Sequence, residues 1–186
     1  HVDGGAYHRT FAIAGKSGTL AVRQAGPAAL ALSVATSDLT LLPVLIARIR
    51  RQFDCDGDPE VIGASLRADA LLAPLVAARP GLRVPGAFDQ FETGLRAILG
   101  QQVTVPAAVK LFGQLVGLCG TPLSGDGPLN QLMPDAKAVA QADLSALKMP
   151  RARIAALQAF AALVAGHPDF FAQDQTRIRE ALLALP

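Results

Sequence analysis

The sequence predicts an α+β chain, with an antiparallel sheet and helices at the front and an all-α helical domain behind. Three observations carry this. In the first third, apolar and polar residues alternate: Leu20 and Val22 lie on one parity, Thr19, Ala21 and Arg23 on the other. That is the period of a half-buried strand. From about residue 38 the apolar spacing changes to three and four, the period of an amphipathic helix. Between helical stretches, "RPGLRVPG" at 79–86 holds two Pro-Gly steps and is the strongest break in the chain. It separates a sheet-plus-helix domain, 1–80, from a helical domain, 81–186.

The elements follow in order. "YHRTFAIAG" sets Tyr7, Arg9, Phe11 and Ile13 in step, and "ALALSVAT" does the same for Leu30, Leu32 and Val34. Strands are expected near 7–14, 19–24 and 29–36, separated by glycine-containing turns, one of them at Lys16-Ser17-Gly18. Ser37 or Asp38 can cap a helix that carries Leu42, Leu45, Ile46, Ile49 and Phe53, with Pro43 in its first turn. "DCDGDP" is a turn, and Asp58-Pro59-Glu60 reads as cap, first position and first-turn acid of a helix or helix pair running to Ala78. "DCDGDPE" lacks the remaining oxygen positions of a calcium loop. Beyond Gly86 the pattern is helical throughout, at about 88–100, 104–119, 135–140, 143–147, 151–165 and 174–184. The loop "GTPLSGDGPLNQ" is the segment expected to be most mobile.

Composition narrows the function. The chain of 186 residues is half apolar, with mean hydropathy +0.35. Charges nevertheless interrupt every apolar run before the roughly 18–20 residues that a membrane span needs. The start, "HVDGGAYHRTF", lacks the cationic-then-apolar pattern of a signal peptide. A net charge of +2 does not by itself argue for nucleic acid. Cys55 and Cys119 are far apart and match no metal spacing, which suits a reducing cytoplasm. The missing initiator methionine and the stop on "ALLALP" lead to the expectation that the chain is a fragment.

Candidate chemistry is sparse. His1, His8 and His167 have no acid or cysteine at triad or ligand spacing. Asp89 and Glu92 sit near a helix start, where acids complement the helix dipole, and Asp135 and Asp143 read the same way. Arg151 and Arg153 open a helix and suit either phosphate or solvent. The unusual feature is "LGQQVTV". One apolar run carries Phe88, Phe91, Leu95, Ile98 and Leu99; the next carries Val105, Val109, Phe112 and Val116. Between them stand Gly100, Gln101 and Gln102. Two readings remain open. The glutamines form a polar turn ahead of a Thr104 cap, or they form a probe, fixed between rigid helices, that enters a partner.

"RAILGQQVTVPAAVKL" resembles the helix-joint signature of base-excision DNA glycosylases of the helix-hairpin-helix superfamily, in particular the AlkA type, 3-methyladenine DNA glycosylase II. "RRQFDCDGDPEVIGASL", the "RPGLRVPG" linker and "ALKMPRARIAALQAFAALVAG" extend the likeness over most of the chain, with Lys148 where a glycine is usual. The resemblance implies a TATA-binding-protein-like N-terminal domain and a helical glycosylase domain. It implies double-stranded DNA with alkylated bases as the partner of a monomer, and no cofactor or metal. It assigns Gln101 to the pocket for the flipped base and Gln102 to the wedge that fills the vacated stack.

A wedge of this kind suits the chemistry, because a base must leave the stack before its glycosidic bond can be reached. A glutamine can stack there and also hydrogen-bond the orphaned partner. The family's hairpin and catalytic aspartate have no counterpart here and are expected beyond Pro186. The chain alone is therefore expected to be inactive. The rival readings are a non-catalytic DNA-binding or regulatory module and a helical scaffold for a partner protein.

Overall fold

The computed structural model describes residues 1–123 and 129–186. Asp126 and much of the "GTPLSGDGPLNQ" loop lie outside the described residues. By their internal contacts the described residues divide into two compact units, His1–Leu39 together with Gln90–Pro186, and Thr40–Asp89.

The first unit begins with a meander, β1 (Val2–Asp3), β2 (Ala6–Ile13), β3 (Lys16–Gly26) and β4 (Ala29–Thr36), antiparallel in chain order. Gly4-Gly5 and Ala14-Gly15 make the first two turns, all four residues at positive φ. Two-residue hairpins of the type that matches strand twist require this. The turn expected at Lys16-Ser17-Gly18 is therefore strand. Gly18 pairs with Phe11, and a Cβ there would collide with the Phe11 ring and the Ala35 carbonyl. Glycine is present for close packing, not for the turn. The alternation of β3 holds: Leu20 and Val22 are buried, and Arg23 is exposed.

Helices α1 (Leu42–Gln52), α2 (Pro59–Arg67) and α3 (Ala73–Ala78) lie in the other unit; the helical part of this one comprises α4 (Gln90–Gly100), α5 (Val105–Cys119), α6 (Ala136–Gln141), α7 (Arg151–Gly166) and α8 (Gln175–Leu183). Its core is built on Leu95, Leu99, Leu115, Val139, Leu157 and Phe160. Gly94 lets α4 approach α7, since a Cβ there would enter the Phe160 ring. The expectation of helix alone after Gly86 is corrected by a two-residue pair, β5 (Thr121–Pro122) and β6 (Gln131–Leu132). The Thr10 hydroxyl donates to the Gln131 carbonyl at 2.9 Å, tying β2 to β6. No strand of four residues occurs among the described residues after 88.

The second unit contains α1 (Leu42–Gln52), α2 (Pro59–Arg67) and α3 (Ala73–Ala78). A 3-10 turn at Leu39–Leu41 precedes α1, whose N-cap is Leu41 rather than Ser37 or Asp38. Asp58 caps α2, accepting from the backbone N–H groups of Glu60 and Val61. Arg83 donates to the carbonyls of Asp54 and Gly57, and the Gly86 N–H donates to Gln52 at 3.0 Å. The "RPGLRVPG" segment is thereby tied to the end of α1 and to the turn after it. By internal contacts the units divide at 39/40 and 89/90. Composition marked a loop in the Pro-Gly stretch and could not show that the loop is pinned.

Candidate nucleic-acid interface

The joint between α4 and α5 is four residues long. Helix α4 stops at Gly100, and the Gln101 N–H still reaches the Ile98 carbonyl. Gln102 then takes φ +55°, the left-handed conformation that reverses a chain after a helix. Glycine is the usual occupant of such a position, because a side chain there costs on the order of 1–2 kcal/mol. Thr104 restarts the chain as the N-cap of α5, its hydroxyl accepting from the Ala107 N–H at 3.4 Å, with Pro106 in the first turn. Gln101 and Gln102 are both exposed. Neither open reading of the glutamines is removed by this geometry.

Beside the joint lies a concavity of about 160 Å³ lined by Arg96, Gly100, Val103, Val105, Ala108, Val109 and Phe112. Val105 and Val109 are 77% and 61% exposed, so the expected apolar stripe of α5 is corrected. The buried residues of α5 are Phe112 and Leu115, with Leu111, Val116 and Cys119 partly buried against the same core. Helix α5 is apolar nearly all round, and periodicity alone could not select its inner face.

Glu92 stands in the first turn of α4, as expected of a helix-start acid, and its carboxylate is in addition buried between two arginines. One oxygen accepts from Arg9 of β2 at 2.7 Å; the other accepts from Arg96 of α4 at 2.9 Å. Burial pushes this carboxyl upward, but Arg9 and Arg96 more than reverse the push, and it titrates below the usual carboxylate range. Arg9 also donates to the Tyr7 hydroxyl and the Thr10 carbonyl. The Arg96 guanidinium lies 3.5 Å above the centre of the Phe112 ring, a cation–π contact. The Glu92/Arg96 pair at i,i+4 was legible in sequence. Arg9, 83 positions before Glu92, was not.

The other candidates are local. Asp89 pairs with Arg48 at 3.5 Å within the other unit. Asp135 and Asp174 cap α6 and α8, and Asp143 accepts from the Ser145 N–H. The His1 amine donates to the His8 carbonyl, and His167 is the residue at which α7 ends. Cys55 and Cys119 are free thiols. Arg151 and Arg153 are in the first turn of α7, with Arg151 exposed. Among the described residues no helix is long and apolar enough to cross a membrane.

This architecture is that of DNA glycosylases. A 3-methyladenine DNA-glycosylase from Archaeoglobus fulgidus superposes with a TM-score of 0.74 at 17% identity, over 86% of this chain and 56% of that one. An 8-oxoguanine glycosylase/lyase from Clostridium acetobutylicum, solved with double-stranded DNA, superposes at 0.69 with 16% identity, over 95% of this chain and 63% of that one.

Residues 1–89 match the AlkA N-terminal domain. A probable bifunctional transcriptional activator/DNA repair enzyme AlkA of Mycobacterium tuberculosis is 35% identical over 188 residues, covering 100% of this chain. DNA-3-methyladenine glycosylase 2 of Escherichia coli is 42% identical over 115 residues, covering 60% of this chain. The chain spans 38% of the length of each of these relatives. It is a partial AlkA-like piece.

Proposed function

We propose that the chain is a DNA-engaging part of a base-excision repair glycosylase that hydrolyses the N-glycosidic bond of alkylated purines such as 3-methyladenine. The observation that carries this reading is Gln102, exposed at φ +55° next to an open concavity lined by Arg96, Val103, Val105 and Val109. It sits in a four-residue joint between the end of α4 and the start of α5, so the side chain stands on a short mount between two helices. Such a side chain can enter a duplex and fill the space of an extruded nucleotide, which holds the DNA in its bent form. Gln101, next to it, is then placed to line the pocket of the extruded base. Its amide can both donate to and accept from a base edge.

The chain itself is expected to bind DNA without cleaving. Departure of the base builds positive charge on the sugar, and a nearby carboxylate lowers that barrier. Glu92 is on the same helix as the joint, but both of its oxygens are engaged by arginines. We place the catalytic aspartate in the part of the protein that corresponds to the remaining length of the relatives. The test is a base-release assay on methylated duplex, with this chain and the full-length gene product side by side. Release is expected from the full-length protein and not from the chain. Release by the chain alone, abolished by changing one of its acids, would refute that placement. Tight DNA binding by the full-length protein with no base release would favour a regulatory module instead.

A further inference from the structure

We infer that Arg96 binds a backbone phosphate of the DNA strand beside the Gln102 wedge, with the sugar of that nucleotide resting on the valines of the adjoining concavity. This rests on the wedge reading above and extends it to the neighbouring surface. Glu92 and Phe112 are the positioning residues.

The argument begins with charge. A buried carboxylate needs a single cation to be neutralised, and Arg9, itself only 11% exposed at the side chain, supplies it at 2.7 Å. Arg96 is a second cation on the same carboxylate. The three side chains together carry a surplus positive charge. It is presented by Arg96, whose side chain is half exposed, and the complementary ligand is an anion.

Geometry supplies the next step. Nε and Nη2 of Arg96 both address one Glu92 oxygen, at 2.9 and 2.8 Å. One face of the guanidinium lies on Phe112. Among the described residues nothing accepts from its Nη1, so a donor remains for a ligand. A guanidinium fixed on two sides loses little freedom on binding and presents planar donors suited to phosphate oxygens.

The surroundings select the anion. Arg96 lines the concavity with Val103, Val105 and Val109, and the valine side chains at 105 and 109 are largely exposed. A small inorganic anion gains nothing from apolar walls. A nucleotide carries the C–H faces of its deoxyribose next to its phosphate and gains from both. The concavity also contains Gly100 and Val103, the residues that bracket Gln101 and Gln102 in sequence. A strand entered by the wedge therefore passes this surface. Phosphate contacts of this kind fix register without reading sequence.

The experiment is fluorescence anisotropy of the full-length gene product on a duplex bearing a tetrahydrofuran abasic-site analogue, over a series of salt concentrations. Arg96→Gln is expected to weaken binding roughly tenfold at moderate salt and to lower the slope of log K against log[salt] by about one. Arg96→Lys keeps the charge and should retain the slope while losing some affinity. Lys137→Gln, an exposed change on α6, should alter neither. A wild-type slope for Arg96→Gln, or equal loss of slope in Arg96→Lys and Arg96→Gln, overturns the inference. If the wild-type protein has no affinity for the duplex, the wedge reading fails first. Failure in Arg96→Gln alone leaves that reading standing.

Discussion

Gln102 and Lys148 occupy the same backbone situation. Both are non-glycine residues in the left-handed region, Gln102 at φ +55° and Lys148 at φ +38°. Each lies two residues before the N-cap of a helix, Thr104 for α5 and Pro150 for α7. Both side chains are exposed. What lies around them differs. After Lys148, Met149 packs partly against the core, and Pro150 makes no side-chain cap bond. After Gln102, Val103 lines an open concavity with a charged rim, and helix α4 before it is pinned through Glu92. A left-handed residue thus serves the chain reversal at both joints. The open surface beside it is what distinguishes the glutamine joint. At Lys148 the resembled family usually has glycine, which fits a position where the backbone matters and the side chain does not.

The largest expected effect tests the support beneath the glutamine joint. Glu92→Ala leaves two guanidinium groups without their carboxylate, Arg9 among them nearly buried. Breaking a buried pair in this way costs about 3–5 kcal/mol. Chemical denaturation of the chain measures it; a loss below 1 kcal/mol would mean that the arginines are held by something else. The same group predicts an acid dependence. Its folded pKa is lowered from 4.5, so its stabilisation is complete above that value and fades as pH falls through the folded pKa. Glu92→Gln should flatten the acid limb of the stability–pH curve.

Next comes the side chain itself. In the full-length protein, Gln102→Ala should weaken binding to lesion-containing duplex by roughly 1–3 kcal/mol, the scale of a lost stacking contact. The effect should shrink on DNA whose lesion is already unpaired, because less unstacking is then required. Lys148→Ala should leave both affinities where they were. Equal losses at the two joints, or equal losses on the two DNAs, would dissolve the contrast.

The smallest effect is the sharpest comparison. Glycine relieves the left-handed strain at either position, and its greater freedom in the unfolded chain returns part of the gain. Gln102→Gly and Lys148→Gly should each raise stability by about 0.5–1 kcal/mol. Only Gln102→Gly should lose DNA affinity. A glycine that stabilises the joint and disables binding would identify Gln102 as retained for contact at a cost in stability.

Much of the fold was legible in the sequence, and for identifiable reasons. The alternation through Leu20 and Val22, the caps at Asp58, Thr104 and Asp135, and the helices after residue 88 are local matters. Local hydrogen bonding and apolar period decide them, and both are written in adjacent residues. The "GQQ" joint was visible because two amides interrupt an apolar pattern. Tertiary structure alone decided three things. It buried Glu92 against Arg9, because that pair joins a strand to a helix far along the chain. It chose the inner face of α5, because a helix apolar nearly all round takes its orientation from its neighbours, leaving Val105 and Val109 outside. It tied the Pro-Gly segment to the end of α1 through Arg83 and Gly86, because a loop's composition is silent on what its donors will find when the chain closes.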